Sequence, residues 1–188
     1  MKQLGTKALT TKRLVLRRYT MDDVDAIYTG WANDPEVTRF LHWPTHPDVD
    51  VTRAVLQTWV ERYAEEGYYN WGIVLDGKVL GNIAVVGCNT ADAWAEVGYA
   101  LSRAYWGQGI MTEALERVIA FLFEEVGVHR VMLKHDVDNV GSGRVMEKNG
   151  LVKEGVLRQE HLRKDGTRGD IAIYAILADE WRTKKDGV

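Results

Sequence analysis

Gly107 and Gly109 stand two apart in RAYWGQGIMTEA, residues 103–114, at the mouth of a helical run. A helix N-terminus carries unpaired backbone N–H groups and about half a positive charge. Glycine just upstream lets the backbone approach an anion with no side chain in the way. The pair therefore either makes a tight turn or cradles a phosphate, and the strand, loop and long helix around it are the setting in which phosphate loops occur. No Lys-Ser or Lys-Thr pair follows, which excludes a nucleotide P-loop. GQGIMT places Thr112 where a dinucleotide fingerprint has its third glycine, and Asp136 or Asp138 could pose as the ribose acid. Against that reading, only about fifty residues follow the next strand, and they read as helix plus antiparallel strands.

Other residues offer further chemistry. Asn139 and Ser142 in DNVGSGRVME are both good helix-start residues, Ser142 being a sound N-cap. Glu96 in AWAEVGYAL shares one strand face with Trp94 and Gly98, and Glu160 in RQEHL is a second carboxylate with His161 on the opposite face. His42 and His46 lie four apart, but Pro44 opposes the helix that would align them on zinc. In HDVDN, strand alternation separates His135, Asp136 and Asp138, so no metal is expected. Cys88, the single cysteine, reads as a small buried hydrophobe in NIAVVGC.

The elements that must position these residues follow from periodicity. RLVLRR alternates as a strand, and Thr20 and Asp23 are spaced as a capping box opening a helix through YTMDDVDAIYTGWAN. HWPTHPD is loop, and DVTRAVLQTWVERYAEEG returns to helical spacing. YYNWGIVLDGKVLGNIAVVGC holds two strands joined at Asp76-Gly77, a hairpin signal, and AWAEVGYAL is the next strand. Ile110, Ala114, Leu115, Val118, Ile119 and Leu122 form a helical stripe up to Gly127. HRVMLKHDV is a strand, SGRVMEKNG a short helix stopped by Gly150, and LVKEGVLRQEHL with GDIAIYAIL a closing strand pair around KDG. The order β-α-α-β-β-β-α-β-α-β-β predicts an α+β fold: a mostly antiparallel twisted sheet with one β-α-β crossover carrying the glycine loop.

Composition narrows the classes. At 188 residues, with 46% hydrophobic and 27% charged residues, the chain reads as one globular domain over 1–188 with its core at about 10–180. Its 24 basic and 27 acidic residues give a net charge of −3, so no broad nucleic-acid footprint is expected, nor a membrane span. One cysteine and no signal-peptide pattern after MKQLGTK make the cytoplasm the default compartment.

EVGYALSRAYWGQGIMTEAL followed by VDNVGSGRVMEKNGLVKEGVLR resembles the GNAT superfamily of N-acetyltransferases, more narrowly its RimJ/RimL-type branch. The resemblance runs from TKRLVLRRYTMDD to DIAIYAIL. It implies acetyl-CoA as co-substrate, with the pyrophosphate on the superfamily's Q/R-x-x-G-x-G/A loop, here Trp106, Gly107, Gln108, Gly109, Ile110 and Met111. Trp106 and Met111 depart from that pattern, and Thr112 could add a hydroxyl. It also implies a strand splayed so that backbone N–H groups of Tyr99, Ala100 and Leu101 face the thioester, Asn139 on the pantetheine arm, and Ser142 on the CoA sulfur. The resemblance implies an amine acceptor, with the N-terminal α-amine of a ribosomal protein leading and an antibiotic or polyamine as the alternative; a non-catalytic acyl-CoA-binding module is a second alternative. Glu96 and Glu160 are the candidates for the base. The loop around Trp43 could wall an acceptor pocket, and a homodimer is expected by analogy alone.

Overall fold

The computed structural model describes residues 1–185. An eight-stranded sheet runs in the spatial order β1 (Leu9–Thr10), β2 (Val15–Arg17), β3 (Asn70–Leu75), β4 (Lys78–Asn89), β5 (Trp94–Leu101), β6 (Arg130–Asp136), β8 (Arg168–Leu177) and β7 (Val152–Leu162). Neighbouring strands are antiparallel except β5 and β6, which run parallel. The crossover between those two is α4 (Ile110–Phe121), led in by the glycine loop. The expected α+β architecture and the crossover carrying the glycine loop are thus present, but that crossover is not the sole one expected: the helix Val140–Lys148 makes a second from β6 to the parallel β7, with β8 lying between those strands and antiparallel to both.

Helices cover both faces. On one, α1 (Val24–Ile27), α2 (Pro35–Thr38) and α3 (Val49–Arg62) enclose a cluster built on Ile27, Trp31 and Leu56. On the other, α4 and α5 (Val140–Lys148) pack their apolar stripes on the sheet, with Trp71 set edge-on against Phe121 at 5.8 Å. The stripe predicted along α4 is buried throughout: Ala114, Leu115 and Val118 are all sealed from solvent. Strand β5 feeds both clusters by alternation, Ala95 and Val97 to the α4 face and Ala100 to the α1–α3 face.

Three sequence expectations are corrected. The chain adds β1, the short α2 and a C-terminal helix, α6 (Ala178–Lys185), whose start is marked by Leu177 N–H donating to Glu180 Oε2 at 2.9 Å. Cys88 is exposed even though the register slip between Val85 and Gly87 pairs it with the buried Ala95; it lies one residue from the end of β4, where the core thins out. Helix α5 begins at Val140, so Asn139, and not Ser142, is its N-cap. Among the described residues no helix is long and apolar enough to cross a membrane.

Candidate active site

The register of the parallel pair builds the site. β5 and β6 are paired only at Trp94 with Arg130, Ala95 with Val131 and Glu96 with Met132. Beyond Glu96 they diverge, and a slot opens along Val97–Leu101. Ser102 N–H donates to Leu80 O on β4 at 2.8 Å, so alternation turns the N–H groups of Leu101 and Tyr99 toward the slot. Gly81 permits this close β4–β5 approach, since a Cβ there would stand 2.4 Å from Ala100 O.

The slot opens into a cavity of about 670 Å³ between β5, the glycine loop and α5. Every predicted cofactor residue lines it except Gln108, whose amide donates to Ala104 O at 2.9 Å. Gly107 and Gly109 both have φ of +74°, which glycine adopts without the strain a Cβ would bring, and a Cβ on Gly107 would project into open space. Helix α4 has no side-chain cap: Gly109 is its N-cap, and the first backbone bond into it is Glu113 N–H to Gly109 O at 3.0 Å. The N–H groups of Ile110, Met111 and Thr112 are therefore left to a ligand, the arrangement a pyrophosphate fits.

The two departures from the superfamily loop have structural reasons. Trp106 donates its indole N–H to Leu101 O at 2.8 Å, tying the loop to the end of the splayed strand. Met111 is buried in the α4 core. Thr112 contributes its carbonyl to a bond from Asn149 Nδ2 at 3.3 Å, and the same amide reaches Val145 O at 2.9 Å, which couples the start of α4 to α5.

Ser142 lies at the other wall. Asn139 Oδ1 accepts from Ser142 N–H at 3.3 Å, so the asparagine does the capping and the serine hydroxyl is free of it. Ser142 Oγ instead sits 2.9 Å from Tyr99 Oη. Desolvation pushes the Tyr99 phenol well above its usual range, so it stays protonated, and its bond with Ser142 only partly offsets this. Helix α5 comes this close to β6 because residue 143 is glycine: a Cβ there would stand 3.0 Å from the His135 ring.

The two carboxylates fall elsewhere. Glu96 lies at the vertex of the slot with its carboxylate 3.3 Å from Lys134 Nζ, and alternation aims it to the α1–α3 face. Glu160 is exposed in a bulge of β7, where Gln159 has φ of +52°. His161 points the other way, onto Asp136 at 2.8 Å. Asp136 is wholly buried and bound by Arg163, which removes it as a ribose ligand, and no metal-holding group occurs among the described residues.

Sequence reading missed Arg13 and Glu113, a hundred residues apart. Arg13 Nε donates to Glu113 Oε2 at 2.6 Å and its NH1 to Gln108 O at 3.2 Å, bracing the loop from behind, while Thr11 Oγ1 donates to Glu113 Oε1 at 2.6 Å. Burial opposes ionisation of Glu113, but the bonds from Thr11 and Arg13 outweigh it and its pKa is lowered. Glu113→Gln is expected to weaken CoA binding about three- to tenfold by freeing the loop, with the fold retained; calorimetric titration with CoA checks this, and an unchanged Kd removes the brace from the binding machinery.

A slot between splayed parallel strands, fed by a capless glycine-led helix, defines a transferase that takes its acyl group from a CoA thioester. A model of the acetyltransferase (GNAT) domain matches residues 13–152, and the chain belongs to that family; it is an acetyl-CoA-dependent N-acetyltransferase. It is 33% identical to the N-acetyltransferase YoaA of Bacillus subtilis over 171 residues, 90% of this chain and 96% of that protein. It is 29% identical to the ribosomal-protein-serine acetyltransferase of Escherichia coli over 141 residues, 74% and 78% of the two chains. The fold matches the RimL ribosomal L7/L12 α-N-protein acetyltransferase, solved with coenzyme A, at a TM-score of 0.83 and 23% identity, covering 93% of this chain and 99% of that one.

Proposed function

We propose that the protein acetylates the N-terminal α-amine of a protein, a ribosomal protein being the leading acceptor, and that Ser142 and Tyr99 serve the leaving thiol. The hydroxyl pair at 2.9 Å beside the slot carries this reading; the Escherichia coli relative, named for acetylating a ribosomal protein, supports the acceptor class. Such an acceptor would place the reaction in the cytoplasm.

Acetyl-CoA, when bound, supplies an acyl group activated by a thiol leaving group. The N–H groups of Ile110, Met111 and Thr112 would hold the diphosphate, and Asn139, whose Nδ2 has no hydrogen-bond partner among the described residues, would face the pantetheine arm. The slot N–H groups of Tyr99 and Leu101 are aimed where negative charge develops on the carbonyl oxygen. With Tyr99 O–H donating to Ser142 Oγ, the nearer of its two acceptors on that residue (2.9 Å, against 3.2 Å to Ser142 O), Ser142 O–H would be left to face the sulfur; as the amine nitrogen bonds the acetyl carbon and the C–S bond breaks, the serine would pass its proton to the departing thiolate and regain one from solvent. The amine gives up its proton through water to Glu96, whose carboxylate Lys134 holds at the vertex. Glu160, exposed on its bulge, is kept only for binding the acceptor.

The base has little to do for an α-amine. At a pKa of about 7.8 it is roughly 14% neutral at pH 7, against roughly 0.04% for a lysine near 10.4. Peptides with free N-termini are therefore expected to release thiol about a hundredfold faster at pH 7 than peptides offering only lysine, and blocked N-termini to abolish it. A thiol-release assay over peptides, aminoglycosides and polyamines reads this directly; faster turnover of a small amine would overturn the protein acceptor, and CoA binding with no acceptor-stimulated release would overturn Ser142's role.

A further inference from the structure

A second cavity, of about 170 Å³, lies on the α1–α3 face. Its walls are Trp31, Trp43, Trp59 and Leu56, with His46 and Thr52 as its polar members. An apolar cavity of about 150 Å³ holds one benzene ring, so this one is sized for a single ring. His46 is 7% exposed and packs against Trp43 with ring centroids 5.1 Å apart. Its Nδ1 is 2.7 Å from Thr52 Oγ1, while its Nε2 has no hydrogen-bond partner among the described residues. That nitrogen keeps some solvent access, since the one sealed unpartnered side-chain polar atom among the described residues is His135 Nε2, so a group entering the cavity can meet it without first displacing a protein partner. Desolvation lowers the His46 pKa, and the charge of Asp48 only partly opposes this, so the ring is neutral at pH 7 and asks for a hydroxyl, which can serve either tautomer.

The pocket also lies close to the chemistry. Leu41 lines the acyl-CoA cavity and Trp43 the smaller one, so the linings of the two cavities come within two residues, about 7 Å of chain, of each other. Ala100, on the wall of the large cavity, belongs to the same apolar cluster as Trp31 and Leu56.

We propose that this pocket takes a hydroxyl-bearing ring of the phenol class, carried on the acceptor a few atoms from its amine, and so selects which amine is acetylated. The inference rests on the acetyl-transfer reading above for its link to the acceptor, and on the pocket alone for the ring.

Two measurements on the full chain separate these. Titration with p-cresol is expected to shift the indole N–H resonances of Trp31, Trp43 and Trp59 and to leave that of Trp106 in place. Val55, half-buried at the pocket and on the exposed side of α3, provides the control: Val55→Phe fills the space and should abolish the p-cresol shifts. In the thiol-release assay, peptides carrying Tyr, Phe or Ala at each of the first three positions should show one position where Tyr lowers KM at least about tenfold relative to Ala, with Phe between. Val55→Phe should erase that preference and leave turnover of the Ala peptides unchanged. Absence of p-cresol shifts, or a preference that survives in Val55→Phe, overturns the pocket. Shifts with no peptide turned over would leave a ring site unconnected to the acceptor, and would overturn both the acceptor link and the peptide reading.

Discussion

Ser142→Ala is expected to lower kcat about a hundredfold while CoA affinity changes less than about threefold. Among the described residues the hydroxyl has no backbone partner: the Ser142 N–H is held by Asn139, and Oγ meets only Tyr99 Oη, at 2.9 Å, which also lies 3.2 Å from Ser142 O. Loss of a positioned proton donor typically costs 10²–10⁴ in rate, and the lower end applies because water can enter the space left by one oxygen. Alanine is a better helix former than serine, so α5 keeps its place. Tyr99→Phe removes the partner but leaves the serine proton, and should cost about tenfold. A test sharper than rate alone uses the donor: an acetyl thioester whose thiol is more acidic needs less help from an acid, and should recover most of the lost turnover in Ser142→Ala. If the variant is equally slow with both thioesters, Ser142 acts on position and not on the sulfur.

What the sequence disclosed follows the range of each interaction. The glycine loop was legible because φ above zero and a helical stripe are local demands, met within RAYWGQGIMTEA. The slot was not visible in EVGYAL itself; it came from the resemblance, and its cause is a register that stops at Glu96. Capping of α5 was assigned three residues late because DNVGS offers several oxygens, and only geometry shows that Asn139 takes the bond. The exposure of Cys88 is not written in NIAVVGC either: it pairs with the buried Ala95, and only its place at the end of β4 leaves it open to solvent. Trp106 was marked as a departure without a role, since its bond to Leu101 O depends on how the loop folds back. Arg13 with Glu113, and Asp136 with Arg163, are pairs separated by 100 and 27 residues; charge pattern along one chain carries no sign of such partners.

Asp136→Asn is expected to destabilise the protein by about 2–4 kcal/mol at pH 7, an effect that shrinks in acid. The carboxylate is fully buried at the end of β6, three residues before Asn139. Arg163 reaches both of its oxygens, Nε to Oδ2 at 2.6 Å and NH2 to Oδ1 at 2.7 Å; His161 meets Oδ2 at 2.8 Å and Asp138 N–H donates to Oδ1 at 2.9 Å. Gly169 leaves room for the cluster, since a Cβ there would stand 2.6 Å from Oδ2. Burial alone would raise the pKa, but the bonds from Arg163, Asp138 and His161 outweigh it and bring it down to about 2. The folded value lies below the unfolded one, so the carboxylate stabilises the protein above about pH 4 and that contribution, about 2 kcal/mol, is lost as pH falls toward 2. Asparagine keeps the shape but leaves Arg163 with Asp138 Oδ2, at 2.7 Å and largely exposed, in place of a buried charge partner. The expected result is a Tm about 6–12 °C below the parent at pH 7, with the gap narrowing at pH 3, where the parent has lost part of the same term. A gap that stays constant from pH 7 to pH 3 would mean that shape and packing at residue 136, and not its charge, hold the β7–β8 hairpin. That hairpin also donates from Lys164 to Thr38 O on α2, the helix that walls the acyl-CoA cavity. Turnover in Asp136→Asn should therefore fall with stability, through KM for the acceptor before kcat, because the cluster positions the cavity's rim and touches no reacting atom.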